Sequence, residues 1–153
     1  MFTYKELCKD DEEIVSSFFD KMGGESRAMF NRRDYNRRRA LKYCSKPDPS
    51  RLYFGVYQDE NLIGIVFFID FNTAIPELGL AILDSLSGQG LGREIAEFAI
   101  EKARESGCGG IFLTTHTANV RAQALYEKLG FKLIGLCKDG AELAYILRFS
   151  RET

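Results

Sequence analysis

The chain has 153 residues and a mass of 17.4 kDa, the size of one domain spanning 1–153, with little room for a second. It is 45% apolar, 12% aromatic and 28% charged, which excludes wholesale disorder, and its three prolines exclude a Pro-rich or collagen-like tract. With 21 Lys plus Arg against 22 Asp plus Glu the net charge is −1, so the chain is not a general polyanion binder.

Residues 10–20 read as a short amphipathic helix. Ile14, Val15, Phe18 and Phe19 recur at helical spacing behind Asp10-Asp11-Glu12-Glu13, acids that suit the positive end of the helix dipole, and Gly23-Gly24 stops it. A second helical stretch, rich in arginine, runs from about Ser26 to Tyr43, and Pro47 and Pro49 mark a loop. The period then changes. Leu52 to Tyr57 and Leu62 to Phe71 are rich in aromatic and β-branched residues, and the polar turn Gln58-Asp59-Glu60-Asn61 joins them into an antiparallel hairpin. Leu78 to Leu83 is a third strand, entered through Pro76. A long helix follows over Leu91–Ser106, with Ile95, Phe98, Ala99 and Ala103 on one face and Gly107 at its end. Then come a strand over Gly110–His116, a helix over Asn119–Leu129 closed by Gly130, and two strands, Phe131–Cys137 and Glu142–Phe149, turning at Lys138-Asp139-Gly140. The strand–helix–strand middle requires a parallel pair and the hairpins require antiparallel ones. The expected fold class is therefore α/β, with a central mixed β-sheet flanked by helices.

Cys8, Cys44, Cys108 and Cys137 contain no C-x-x-C pair, and His116 is the single histidine, so spacing assembles no Cys/His metal site and no metal is expected. A domain of this size does not need a disulfide scaffold, so the thiols are read as reduced, as in the cytoplasm. The opening Met-Phe-Thr-Tyr-Lys-Glu has no apolar signal segment, and the longest apolar run, Leu62 to Ile69, falls far short of the roughly 20 residues that span a bilayer. The expectation is a cytoplasmic protein without a membrane partner.

The chemistry concentrates at Leu83-Asp84-Ser85-Leu86-Ser87-Gly88-Gln89-Gly90-Leu91-Gly92-Arg93-Glu94. A strand ends, glycines stand at alternate positions, and a helix begins. Glycine lets the backbone turn sharply and approach a ligand closely, and a helix start offers unpaired N–H donors to a phosphate or pyrophosphate. A Walker loop would need Gly-Lys-Ser/Thr where Gly92-Arg93-Glu94 stands. A dinucleotide site would need glycine at the Arg93 position and an acid near the end of the next strand, where Leu113-Thr114-Thr115-His116 has none. A glycine-rich turn without a ligand is the plainer alternative.

A second segment lies downstream at a matching separation: Asn119-Val120-Arg121-Ala122-Gln123-Ala124-Leu125-Tyr126-Glu127-Lys128-Leu129-Gly130-Phe131. Together the two segments resemble the GNAT superfamily of acyl-CoA-dependent N-acetyltransferases, the first its Arg/Gln-x-x-Gly-x-Gly/Ala pyrophosphate motif and the second its Asn…Leu-Tyr…Gly-Phe motif. The resemblance covers about residues 50–149 well and the earlier residues in element order only. It implies a GNAT-like fold, acetyl-CoA as cosubstrate and a primary amine as acceptor. It also implies that Ala81 and Ile82 pair their backbone with the pantetheine arm, and that Gly88, Gln89, Gly90, Leu91, Gly92 and Arg93 cradle the pyrophosphate. The departures are Ser87 at the Arg/Gln position, the absence of a His-Pro pair before it, and Thr114 where some members carry a catalytic glutamate.

Acetyl transfer from a thioester to an amine requires an amine that has lost a proton, a polarised carbonyl and a proton for the departing thiolate. Tyr126 is the expected proton donor, placed one step from a core face of Ala122, Leu125 and Leu129; the bland alternative is a tyrosine packed at a helix shoulder. Asn119 reads as an N-cap, to which the resemblance adds a cofactor contact. For the base, Glu77 before the third strand is preferred. His116 is the other candidate, because Phe112, Thr114 and His116 share one strand face and imidazole titrates near neutrality.

Between Glu25 and Lys46 lie eight basic and two acidic residues, among them Arg27, Arg32, Arg33, Arg37, Arg38, Arg39 and Lys42. This reads as a solvated face, or as a patch for an acidic substrate or a nucleotide phosphate; Phe30 and Tyr35 would also suit RNA, although the overall charge weighs against nucleic acid. The expected function is N-acetyl transfer to a small-molecule or protein amine. The rival is a catalytically silent CoA-binding regulatory or interaction module. Pairing of two copies through the terminal strands, giving a homodimer, is compatible with either.

Overall fold

The computed structural model describes residues 2–22, 35–83, 90–137 and 139–150. In chain order these form β1 (Thr3–Glu6), a 3-10 turn (Lys9–Asp11), α1 (Glu12–Asp20), α2 (Tyr35–Ser45), β2 (Arg51–Gln58), β3 (Asn61–Ile69), β4 (Glu77–Ile82), α3 (Leu91–Glu105), β5 (Gly110–His116), α4 (Val120–Lys128), β6 (Lys132–Leu136) and β7 (Glu142–Arg148). The α/β expectation and the order of elements hold from residue 51 onward. One strand was not foreseen. β1 has four residues, mostly exposed, and carries no apolar alternation; it exists because β2 offers it an open edge, pairing Thr3 with Tyr57 through Glu6 with Phe54. Residues 23–34, with Arg27, Arg32 and Arg33 of the basic stretch, and residues 84–89, with the expected site residues Gly88 and Gln89, lie outside the described residues.

The strands form one sheet in the order β1-β2-β3-β4-β5-β7-β6, antiparallel throughout except between β4 and β5. β3 is buried at every position from Leu62 to Phe68, because helices cover both of its faces. On one face α3 presses Ile95, Ala96, Ala99 and Ala103 against the sheet, into a core that includes Val66, Phe68, Leu78, Ile111, Leu113 and Tyr145. The alanines let the helix sit close. On the other face Val15, Phe18 and Phe19 of α1 and Ala40 and Tyr43 of α2 pack over Tyr53, Ile65, Phe67 and Ala81. Arg37 ties these two helices together, donating to Asp20 (3.0 Å) and to Ser16 Oγ (2.6 Å), so this arginine of the basic stretch does structural work.

β4 pairs with β3 continuously from Glu77–Ile69 to Ile82–Gly64. With β5 it makes the single register pair Glu77–Phe112, reinforced by the Phe112 N–H donating to the Pro76 carbonyl at 2.9 Å. Beyond that pair the two parallel strands part, leaving a wedge that opens toward the C-terminal end of β4.

The packing under β4 is tight enough to test. A Cβ on Gly79 would run into the Phe67 ring, which stacks on Tyr53 with centroids 4.7 Å apart and planes 7° from parallel. Overpacking of this kind costs ~1–3 kcal/mol. Gly79→Ala is expected to lower the urea-unfolding free energy by that amount.

Candidate active site

Backbone groups alternate from side to side along a strand. In β4 the direction is set at both ends: the Leu83 N–H donates to Ile63 of β3 at 3.1 Å, and the Pro76 carbonyl accepts from Phe112 of β5 at 2.9 Å. Odd-numbered residues therefore turn their N–H and C=O groups to β3 and even-numbered ones to β5. Leu80 and Ile82 present theirs into the wedge. The Ala81 backbone is turned to β3, with its carbonyl beside Gly64, and its side chain packs in the α1/α2 core. Of the two residues expected to meet a pantetheine arm, Ile82 faces the wedge and Ala81 does not. Leu80, which sequence reasoning passed over, faces the wedge with Ile82. The signal was unreadable without knowing which neighbour lies on which side of β4.

At the mouth of the wedge, α3 starts from Gly90, whose φ of +79° is a left-handed conformation that favours glycine. A Cβ there would meet nothing, so the demand is conformational. Gly92 is different: a Cβ would lie 3.3 Å from Leu125 Cδ2 and 3.5 Å from Ile82 Cδ1, so the helix start, α4 and the end of β4 converge on it. Leu91 is half-buried beside it, while Arg93 is exposed and donates from Nε to Glu97 at 3.2 Å.

Asn119 caps α4, its Oδ1 accepting from the Ala122 N–H at 3.2 Å. Tyr126 is the buried residue of that helix, 8% exposed, while Ala122, Leu125 and Leu129, the face assigned to the core by periodicity, are half-buried. Its ring lies 5.5 Å from that of Phe131 and 6.4 Å from that of Tyr145. Burial pushes its phenol up to about 12, so it stays protonated and can act as a donor, not as a base, at ordinary pH.

The carboxylates lie on the α1/α2 face. Glu77 opens β4 at the vertex of the wedge, and burial holds its carboxyl above the usual carboxylate range, aided by the charges of Glu142 and Asp70 and opposed by Arg51. His116 stands at the end of β5, where its Nδ1 accepts from the Ala118 N–H at 3.0 Å and its carbonyl accepts from the Asn119 N–H at 2.9 Å. The first bond assigns the neutral ring's proton to Nε2, so the nitrogen that could accept a proton is already engaged in the turn. Thr114 Oγ1 donates to Glu142 Oε1 at 3.4 Å. Glu142 was absent from the sequence-level candidates because it lies on another strand, in a polar context without a motif. Among the described residues no group of three His, Cys, Asp or Glu side chains is arranged to hold a metal, and no helix is long and apolar enough to cross a membrane.

The Acetyltransferase (GNAT) family model matches residues 12–131. A Bacillus subtilis protein, uncharacterized protein YxbD, is 28% identical over 138 residues, covering 90% of this chain and 79% of its own length. Acetyltransferase PseH of Campylobacter jejuni is 32% identical over 103 residues, 65% of this chain and 64% of that protein. Among solved structures, the spermidine N-acetyltransferase of Vibrio cholerae in complex with CoA and spermine superposes with a TM-score of 0.79 at 20% identity, covering 96% of this chain and 95% of that one. The GNAT domain of S. lividans PAT superposes with a TM-score of 0.80 at 18% identity, over 94% of this chain and 89% of its own. At these identities the two superpositions establish a shared fold.

Glu77 offers a pH test. Its raised proton affinity means that the folded chain binds the proton more tightly than the unfolded one, so native stability is fully present below the ordinary glutamate range, about pH 4.3, and declines as pH rises through the raised value. Glu77→Gln removes that titration. It is expected to melt at a higher temperature than the parent at pH 7, with the difference vanishing below about pH 4 in thermal melts across that range.

Proposed function

The chain belongs to the GNAT acetyltransferase family, and from that premise we propose that it transfers the acetyl group of acetyl-CoA to a primary amine by direct attack. The observation that carries this reading is the parting of β4 from β5 after Glu77–Phe112. It leaves the N–H and C=O groups of Leu80 and Ile82 directed into a wedge, with a helix start at one end and a carboxyl at the other. An extended amide-bearing arm fits such an open strand edge, and a diphosphate fits the start of α3.

Acetyl-CoA would supply a thioester, whose carbonyl carbon forms a bond to the amine nitrogen as its bond to sulfur breaks. The chain's residues do the rest. Leu80 and Ile82 align the arm, and the residues from Gly88 to Arg93 hold the diphosphate by main-chain N–H groups. Asn119, whose Oδ1 serves the helix cap, would use its Nδ2 toward the cofactor. Glu77 takes a proton from the incoming ammonium at its carboxylate. Tyr126 gives its hydroxyl proton to the departing sulfur, and the second proton, shed by the nitrogen as the amide forms, restores the phenol. Its phenol, pushed up to about 12, remains a competent donor because the burial that raises it would equally raise a thiolate held beside it. His116 is the weaker base candidate, since Nδ1 is occupied.

The acceptor is an amine of a small molecule or a protein. Polyamines are one class within this reading, since one structural neighbour is a spermidine N-acetyltransferase, and a face bearing Glu77 and Glu142 suits an ammonium. The four free cysteines fit a reducing cytoplasm. Two copies would pair through the outer strand β6, where Leu133, Ile134 and Leu136 are 53%, 59% and 65% exposed. A CoA-binding module without turnover is the second reading, favoured by Thr114 at the position where a carboxylate is often found.

Calorimetry with CoA, followed by thiol release from acetyl-CoA across a panel of amines, separates the two readings; binding without amine-dependent release selects the silent module. Tyr126→Phe is expected to lower kcat by about 100-fold or more while the CoA dissociation constant stays unchanged. Equal losses in both would make Tyr126 a packing residue.

A further inference from the structure

The α1/α2 face of the sheet carries three successive rows of side chains. Arg51, Ile69, Glu77, Phe112 and Ile146 are successive cross-strand partners, from β2 to β7. In the rows beyond them, Thr114 stands opposite Ala144 and His116 opposite Glu142. Directly paired residues share a face, as do residues two apart on one strand. Glu77, Thr114, His116 and Glu142 therefore all project to the same side. The 3.4 Å bond from Thr114 Oγ1 to Glu142 Oε1 draws the Glu142 carboxylate away from its direct partner, toward the residue two places from Phe112. A carboxylate that β5 does not carry at position 114 is thus delivered to it from β7.

We propose that Glu142 is a positioning residue for Glu77: held by Thr114, it sets a second negative charge on the same face and keeps the Glu77 carboxylate disposed to accept the acceptor's proton. The proposal rests on the reading of Glu77 as the base. An alkylammonium and an ordinary carboxyl differ by about six units of proton affinity, so each unit gained by Glu77 makes the proton transfer about tenfold less uphill. Burial contributes first to that gain and Glu142 next, ahead of Asp70 at the end of β3, with Arg51 on β2 opposing. The remaining ionisable groups on this side do not compensate for Glu142. Cys137, whose N–H donates to the Glu142 carbonyl at 2.8 Å, is pushed up by burial and then by Glu142, Asp139 and Glu77, so it stays a neutral thiol. Lys132 of β6 lies at the far end of Glu77's row, beyond Ile146, and His116 is engaged by the Ala118 N–H.

The test compares E142Q and E142D with the parent by two readouts. The first is a 13C NMR titration of the Glu77 side-chain carboxyl, which needs no amine. The second is the pH profile of kcat/KM for whichever amine gives turnover. E142Q is expected to lower the Glu77 midpoint by about half a unit or more and to move the acid limb of kcat/KM to lower pH by the same amount, while E142D, which keeps the charge, restores both. An unchanged midpoint in E142Q overturns the proposal, as does a slower enzyme whose acid limb stays in place, the result expected if Glu142 serves only the strand. If the parent fails to bind CoA in calorimetry, the transferase reading falls, and the midpoint comparison still decides whether Glu142 governs Glu77.

Discussion

β4 is hydrogen-bonded to β3 along its whole length and to β5 at one pair only. A strand in the middle of a sheet ordinarily satisfies both of its edges, and the cost of leaving buried N–H and C=O groups without partners is of the order of 1–3 kcal/mol each. A wedge at the centre of a sheet is therefore a place where some other group with the hydrogen-bonding pattern of a strand belongs. The acyl-CoA reading follows from this more directly than from any single side chain, because the polar groups on offer at Leu80 and Ile82 belong to the main chain.

The wedge stays open because its walls are rigid. β3 and β4 are clamped between two apolar layers, with the alanine face of α3 on one side and the Tyr53–Phe67 stack under α1 and α2 on the other. β5 is held on its far edge by seven consecutive pairs with β7, so it follows β7 away from β4. The mouth is shaped by Gly92, where the absence of a side chain leaves room for Leu125 and Ile82 to approach the helix start. These interiors are close-packed, and closure would have to open one core to fill the other.

The two groups proposed to handle protons sit on opposite faces of this frame. Tyr126 belongs to the α3/α4 core and Glu77 to the α1/α2 face, and burial raises the proton affinity of both. For a phenol that means a donor that does not ionise; for a carboxyl it means a better base. Desolvation thus has useful consequences of opposite kind on the two sides of one sheet, and the Glu142 charge adds to the second. The same raised affinity makes Glu77 a destabilising feature of the folded chain at neutral pH, a trade often seen where a side chain serves chemistry.

Local pattern determined a great deal. The hairpin of β2 and β3, the long helix after the glycine loop, the bounds of β5 and the Asn119 cap were all legible, because period, caps and turn residues act within a few positions of the chain. Two co-registered motifs sufficed to identify the family. β1 was not legible, since its stability comes from the β2 edge and not from its own residues. Neither was the substitution of Leu80 for Ala81 at the wedge, the depth of Tyr126 in the core, nor the meeting of Thr114 with Glu142. Each depends on which strands are neighbours and on where a parallel pair stops, and those are properties of contacts between residues distant in the chain. Periodicity can say that a residue faces one side of a strand; only the assembled sheet decides what stands there.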